Sequence, residues 1–218
     1  MIKPPCSYSI RNQQILLSDE RCIFWENQQL LILSDTHFGK SGHFRKEGIA
    51  IPQNVYQSDI NRLAGVIEYF KPGGIIIIGD MFHSSLNKEV KYFKNFRENF
   101  AGVNFYLIRG NHDILSKDIY RDLAIDVYDG TFDISPFTFV HNLNDLDKEY
   151  ENYIFSGHVH PGIDMKGKGR QKLRLPCFHF TSQYAFLPAF SKFTGTNTIH
   201  LKKEDDIFLI TEEGVICF

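Results

Sequence analysis

The chain has 218 residues, 43% apolar and 23% charged, a composition that suits a single globular domain over residues 1–218 and argues against a disordered chain. Its formal net charge of −2 excludes wholesale electrostatic capture of nucleic acid, so any such attraction has to come from a local patch. The four cysteines, Cys6, Cys22, Cys177 and Cys217, have no C-x-x-C spacing, which excludes a zinc ribbon and suits reduced thiols in a cytoplasmic protein.

The predicted elements begin with short strands at Ser7–Ile10, Gln14–Leu17, Cys22–Trp25 and Leu30–Leu33. The polar segment from Gly39 to Pro52 reads as a loop. From Val55 to Phe70, Ile60, Leu63, Ile67 and Phe70 recur at helical spacing, and Pro72 and Gly73 stop the helix. Ile75–Ile78 is continuously β-branched, which suits a strand buried on both faces. A second helix is expected from Lys88 to Phe100, then a strand at Val103–Ile108. This alternation is the signature of parallel crossovers.

Beyond Asp113 the expectation is mostly β: Ala124–Tyr128, Phe132–Ile134, Phe137–Val140, Tyr153–Phe155, Leu175–Phe180, Thr198–Leu201, Ile207–Thr211 and Val215–Phe218. Two sheets packed face to face with helices outside accommodate both halves. No window of about 18 uninterrupted apolar residues suggests a membrane span, and Met1-Ile2-Lys3-Pro4-Pro5 lacks the apolar core of a signal peptide.

Four apolar runs end in metal-ligating residue types: Asp35 and His37, Asp80 with His83 beyond it, Asn111-His112-Asp113, and His158 and His160. A fifth, Phe137–Val140, ends in His141. In open α/β sheets the functional crevice lies outside the carboxyl ends of the strands, so unrelated stretches would deliver ligands to one place. At the end of an extended strand Asp35 and His37 would project from one face. Each cluster has a bland alternative: Asp80 as a cap or turn residue, His158 and His160 as a solvated turn before Pro161-Gly162, and His141 as a buried histidine held by a backbone carbonyl. Five coincident strand ends favour the joint reading.

In this order the blocks Asp-x-His, Gly-Asp, Gly-Asn-His-Asp, His and Gly-His-x-His resemble those of the calcineurin-like metallophosphoesterases. The resemblance implies a four-layer α/β/β/α sandwich of two mixed sheets. It implies that Asp35, His37, Asp80 and His160 hold one metal and Asp80, Asn111, His141 and His158 the other, with Asp80 shared. Such mixed shells suit Mn²⁺, Zn²⁺ or Fe, and analogy with the superfamily's nucleases favours Mn²⁺. Two divalent ions can bridge a hydroxide and clamp phosphoryl oxygens for in-line attack on phosphorus. His112 would face the phosphate and stabilise its charge or protonate the leaving oxygen, and Asp113 would orient a ring. His83, in a Gly-Asp-x-Phe-His form similar to that of double-strand-break repair nucleases, is either a catalytic neighbour or a packed residue.

Outside the metal blocks, Asp35–Lys40, Phe44-Arg45, Gly48–Pro52, Gly79–Ser84 and Leu187–Gly195 look like the ligase-associated DNA damage response endonuclease subgroup, often called PdeM. A second glycine commonly follows the Thr-Gly there; Thr196 stands in its place. The subgroup implies action on DNA, association with a DNA ligase and helicase, and a role in repair. Lys40 and Arg45 follow His37, and Lys166, Lys168 and Arg170 follow His160; both basic segments are expected to border the metals and hold backbone phosphates, or else to be solvated loops. The alternatives to a DNA phosphodiesterase are a phosphomonoesterase or nucleotide or cyclic-nucleotide phosphodiesterase of the same chemistry, and a non-enzymatic protein-interaction scaffold, which filled ligand positions disfavour.

Overall fold

A computed structural model describes residues 2–39, 54–82, 88–147, 150–167 and 172–218. The first sheet starts as an antiparallel meander, β1 (Cys6–Ile10), β2 (Gln13–Ser18), β3 (Cys22–Trp25) and β4 (Leu30–Ser34), and continues in parallel through β5 (Gly74–Ile78), β6 (Asn104–Ile108) and β7 (Ile125–Tyr128). The two-residue turn Arg11-Asn12, with φ of 51° and 60°, matches the right-handed twist of the β1–β2 hairpin.

Helices α1 (Asn54–Phe70), α2 (Lys88–Asn99) and α3 (Lys117–Asp122) make the crossovers. The second sheet holds β8 (Thr131–Ile134), β9 (Phe137–Val140), β10 (Tyr153–Ser156), β11 (Pro161–Lys166), β12 (Lys172–Phe180), β13 (Tyr184–Phe186), β14 (Asn197–Thr198), β15 (Asp206–Thr211) and β16 (Gly214–Cys217). Strands β9, β10 and β13 run parallel within it. Among the described residues no α-helix follows Asp122, and none is long and apolar enough to cross a membrane.

Period-2 alternation divides the apolar side chains of the first sheet between two cores. Leu31, Leu33, Ile75, Ile77, Phe105 and Leu107 pack against Leu63, Val66 and Ile67 of α1 and Val90, Phe93 and Phe96 of α2. The intervening Ile32, Ile76 and Ile78 meet Phe137, Phe139, Phe155, Phe178 and Phe180 of the second sheet. With both faces covered, the parallel strands read as unbroken apolar runs. Trp25 against Phe137, 4.6 Å between ring centroids, ties the sheets together.

Three elements escape sequence reading. Strand β11 opens on Pro161-Gly162, which reads as a turn, although proline is tolerated at the first residue of a strand. Strand β13 has three residues and α3 six, too few to show a period. The strand expected at Thr198–Leu201 is two residues long, Asn197–Thr198.

Candidate metal centre

Because β4, β5 and β6 are parallel, and β9 and β10 likewise, their carboxyl ends deliver Asp35–His37, Asp80, Asn111–Asp113, His141 and His158–His160 to one edge of the sandwich. Ligand atoms of Asp35, His37 and His160 all lie within 4.8 Å of one another, and so do those of Asp35, Asp80 and His141. Asp35 is the member common to both triads, where the resemblance implies Asp80. Asn111 Oδ1 is 3.2 Å from His141 Nε2, which is 3.5 Å from Asp80 Oδ1. The ring of His158 lies 5.0 Å from that of His141.

Asp35 and His37 do not extend β4, as expected from their spacing; the strand stops at Ser34. Asp35, His37, Asp80, His158 and His160 all have positive φ, 51°, 44°, 51°, 62° and 51°. Left-handed backbone at a non-glycine residue costs energy and persists where surrounding bonds over-determine it. Those bonds are present: Asp35 N donates to Gly79 O (3.1 Å), His37 N to Asp80 O (2.9 Å) and Phe38 N to Met81 O (2.8 Å). The amide of His112 donates to Asp80 Oδ1 (2.9 Å) and that of His158 to Asp35 Oδ2 (3.1 Å), so each aspartate is aimed by the neighbouring ligand loop.

Three glycines make room for the ligands. A Cβ on Gly79 would strike the His141 ring, one on Gly110 would strike the Asp80 carboxylate, and one on Gly157 would lie 2.7 Å from Asp35 Oδ2. His141 Nδ1 lies 3.2 Å from Ile78 O. With the Nδ1–H tautomer assigned from that contact, the carbonyl orients the ring and leaves Nε2 for a cation. The bland reading of His141, a buried ring on a carbonyl, and the ligand reading are therefore compatible.

The donor set fits divalent cations. Asp35 Oδ1 and His160 Nε2 are buried, 3.0 Å apart, and neither has a hydrogen bond of acceptable geometry among the described residues. A carboxylate oxygen and a ring nitrogen left so placed are what a cation between them would satisfy. Burial works to raise the Asp35 carboxyl, but His160, His141 and His37 together hold it below the usual carboxylate value. Oxygen and imidazole donors without thiolate suit Mn²⁺, Fe or Zn²⁺.

Asp113 makes a different set of contacts from the ring orientation expected of it. Its Oδ1 accepts from the Met81 amide (2.9 Å), the Phe82 amide (3.2 Å) and Tyr120 Oη (3.2 Å), and its Oδ2 from the Gly110 amide (2.9 Å). Burial pushes its carboxyl up to about 6, against the pull of those amides. It braces the loop after β5 to the loop after β6. The His112 side chain is exposed at the mouth, its ring 5.9 Å from that of His37.

Of the other expected positions, His83, Lys40, Arg45, Lys168 and Arg170 lie outside the described residues. Lys166 ends β11, opposite Lys172, and at roughly 3.3 Å per residue the strand carries it on the order of 20 Å from His160. Arg174, in the same basic run, forks Asp164 at 2.6 and 3.0 Å and donates to Thr196 O.

Sequence reasoning gave no role to the segment after β13. Phe190 N donates to Ser34 O (2.8 Å), Ser191 N to Asp35 O (3.3 Å) and Asn197 N to His160 O (2.9 Å). Contacts through ligand carbonyls leave no trace in residue type, so only the motif similarity pointed there. Thr196 packs over Gly162, where a Cβ would come within 2.8 Å of its own.

The family profile for calcineurin-like phosphoesterases matches residues 29–179. No curated protein sequence matches the chain. Among solved structures, the crystal structure of Pseudomonas putida nuclease MPE has a TM-score of 0.83 and 27% identity, covering 98% of this chain and 100% of that one. The E. coli phosphoesterase Yfce has a TM-score of 0.44 and 13% identity, covering 84% of this chain and 88% of that one. The family match takes in more than half of the sequence and every one of the seven converging side chains, and the chain belongs to the calcineurin-like phosphoesterase family.

Proposed function

We propose that this metal-dependent phosphoesterase is a DNA phosphodiesterase, acting as an endonuclease. The observation that carries the reading is the convergence of Asp35, Asp80 and the histidines on one edge, with ligand atoms of each triad within 4.8 Å. The choice of DNA rests on the full-length similarity to a protein described as a nuclease. The repair setting, and a ligase or helicase as partner, rest on the motif resemblance alone.

Asp35, His37, Asp80 and His160 would hold one divalent ion, and Asp80, Asn111, His141 and His158 the second, with Mn²⁺ favoured. When bound, two such ions supply Lewis acidity toward the phosphoryl oxygens and a nucleophilic water. The chain's own part is alignment and proton handling. Asp80 and Asp35 are fixed by the His112 and His158 amides, so little reorganisation is needed as charge develops. The exposed His112 ring stands at the mouth, where it would stabilise the phosphate and hand a proton to the leaving oxygen.

The test is a substrate panel with Mn²⁺-loaded protein. Bis-p-nitrophenyl phosphate is expected to be hydrolysed faster than p-nitrophenyl phosphate, with nicking of plasmid or single-stranded DNA that weakens steeply as salt rises. Preference for the monoester without DNA cleavage would assign the site to a phosphomonoesterase instead. His112→Ala should abolish turnover while both metals stay bound.

A further inference from the structure

Segment 191–197 begins at the backbone of one ligand and ends at the backbone of another. Ser191 N donates to Asp35 O, and Asn197 N donates to His160 O; Asn197 Nδ2 also donates to Val159 O at 2.9 Å. Arg174 holds the loop's Thr196 carbonyl at 3.0 Å. Anchored at both ends, the loop runs from the backbone of Asp35 to that of His160.

The middle of this loop is Phe193-Thr194-Gly195. Phe193 is 47% exposed, and among the described residues its ring meets no other. The other exposed aromatics described are Tyr69 on α1, Tyr92 on α2 and Phe218 at the C-terminus, none of them in a ligand loop. Burying an exposed phenyl ring against a base removes apolar surface from water, and every base offers a π face. Next to it Thr194 is 7% exposed, and its Oγ1 has no hydrogen-bond partner among the described residues. A buried hydroxyl left unpaired costs stability and calls for an acceptor.

We propose that the Ser191–Asn197 loop is the nucleotide-binding rim of the metal centre, with the Phe193 ring as the stacking surface for an unpaired base beside the scissile phosphate. The inference rests on the diesterase reading above and narrows its substrate class to diesters that carry a base, single-stranded or locally unstacked DNA. It does not use the basic hairpin beyond β11.

The experiment takes the full chain with Mn²⁺ and two diesters that differ in having a nucleoside or a methyl group, thymidine 5′-(p-nitrophenyl phosphate) and methyl p-nitrophenyl phosphate. The nitrophenyl ring is common to both and cancels in the ratio of their kcat/KM values. Phe193→Ala should lower that ratio about tenfold, Phe193→Trp should preserve or raise it, and Phe193→Leu, apolar but without a π face, should resemble the alanine variant. A ratio unmoved by Phe193→Ala, or restored equally by leucine and tryptophan, overturns the stacking role while leaving the diesterase reading intact. A wild-type protein that prefers p-nitrophenyl phosphate sinks the diesterase reading. The loop is then judged by fluorescence anisotropy of a single-stranded oligonucleotide: about tenfold weaker binding by Phe193→Ala, recovered by tryptophan, sustains it, and equal binding overturns it.

Discussion

Asp35 Oδ1 and His160 Nε2 face each other at 3.0 Å, buried, with no hydrogen bond among the described residues to satisfy either. Without a cation this arrangement is a cost; with one it is a binding site. Asp35→Asn removes the charge at nearly constant volume and should reduce metal content at the position that Asp35 would hold with His37, Asp80 and His160. Activity is expected to fall by about 100-fold or more, since a metal supplies several kcal/mol of transition-state stabilisation. Metal stoichiometry by elemental analysis, together with the rise in Tm on adding Mn²⁺, reads this directly. An asparagine variant with the wild-type complement of metal would show that Asp35 is not a ligand.

The Asp113 carboxylate accepts four hydrogen bonds that join the loops carrying Asp80 and Asn111. Asp113→Ala leaves three backbone amides unsatisfied and should cost at least about 3 kcal/mol, from roughly 1–3 kcal/mol per orphaned group. Tyr120→Phe removes a single donor and should cost about 1 kcal/mol. Urea denaturation of the metal-free proteins gives both numbers. The two variants should rank in the same order for turnover, because the brace sets the spacing of the ligand loops; equal losses would mean that the amides find other partners.

The ligand-bearing strand ends were legible because five apolar runs stop at Asp, Asn or His; Asp or Asn singly is an ordinary turn residue, and the recurrence carried the signal. The way the backbone turns at those residues was not. Spacing two apart suggested extended Asp35 and His37, whereas left-handed φ at both is imposed by bonds to Gly79 and Asp80 from another strand. The basic run after His160 was legible as charge but not as geometry. Pairing of Asp164 with Arg174 across β11 and β12 ties one cation to a surface carboxylate, and an extended strand carries Lys166 away from the ligands. Such facts depend on cross-strand register, which one sequence does not display.

A second buried acid–imidazole pair lies away from the metal centre. Asp205 Oδ2 is 2.8 Å from His179 Nε2 and accepts from the Lys202 amide at 3.0 Å. Burial works to raise the Asp205 carboxyl, but the bonds from His179 and Lys202 hold it below the ordinary value. A carboxyl whose pKa is lowered on folding contributes stability above its unfolded pKa, about 3.9, and loses that contribution as pH falls through the folded value. The Tm gap between wild type and Asp205→Asn should therefore be full at pH values well above about 3.9 and close as the pH falls through the lower folded value. A gap independent of pH would mean that the pair acts through shape rather than charge.

Arg62 links the helix layer to the metal centre. Its guanidinium donates to Glu20 Oε2 (2.6 Å), Asp59 Oδ1 (2.7 Å), Glu20 O (3.0 Å) and Phe190 O (3.0 Å), and lies 4.4 Å from the centroid of the Phe190 ring. Asp59 in turn accepts from Ser191 Oγ at 2.9 Å, and the Phe190 and Ser191 amides hold the Ser34 and Asp35 carbonyls. Arg62→Ala strands the buried Asp59 charge and should cost about 3–5 kcal/mol. Because the freed segment is the one that holds the backbone of Asp35, Mn²⁺ affinity should fall with it. Arg62→Lys keeps a charge but loses the planar fork, and should recover part of the stability and less of the affinity. Adding Asp59→Asn to Arg62→Ala removes the stranded charge, so the double variant should lose less than the sum of the two single losses. Calorimetric titration of Mn²⁺ beside urea melts separates the effects. Stability lost with metal affinity unchanged would show that the β4 terminus holds Asp35 without help from this network.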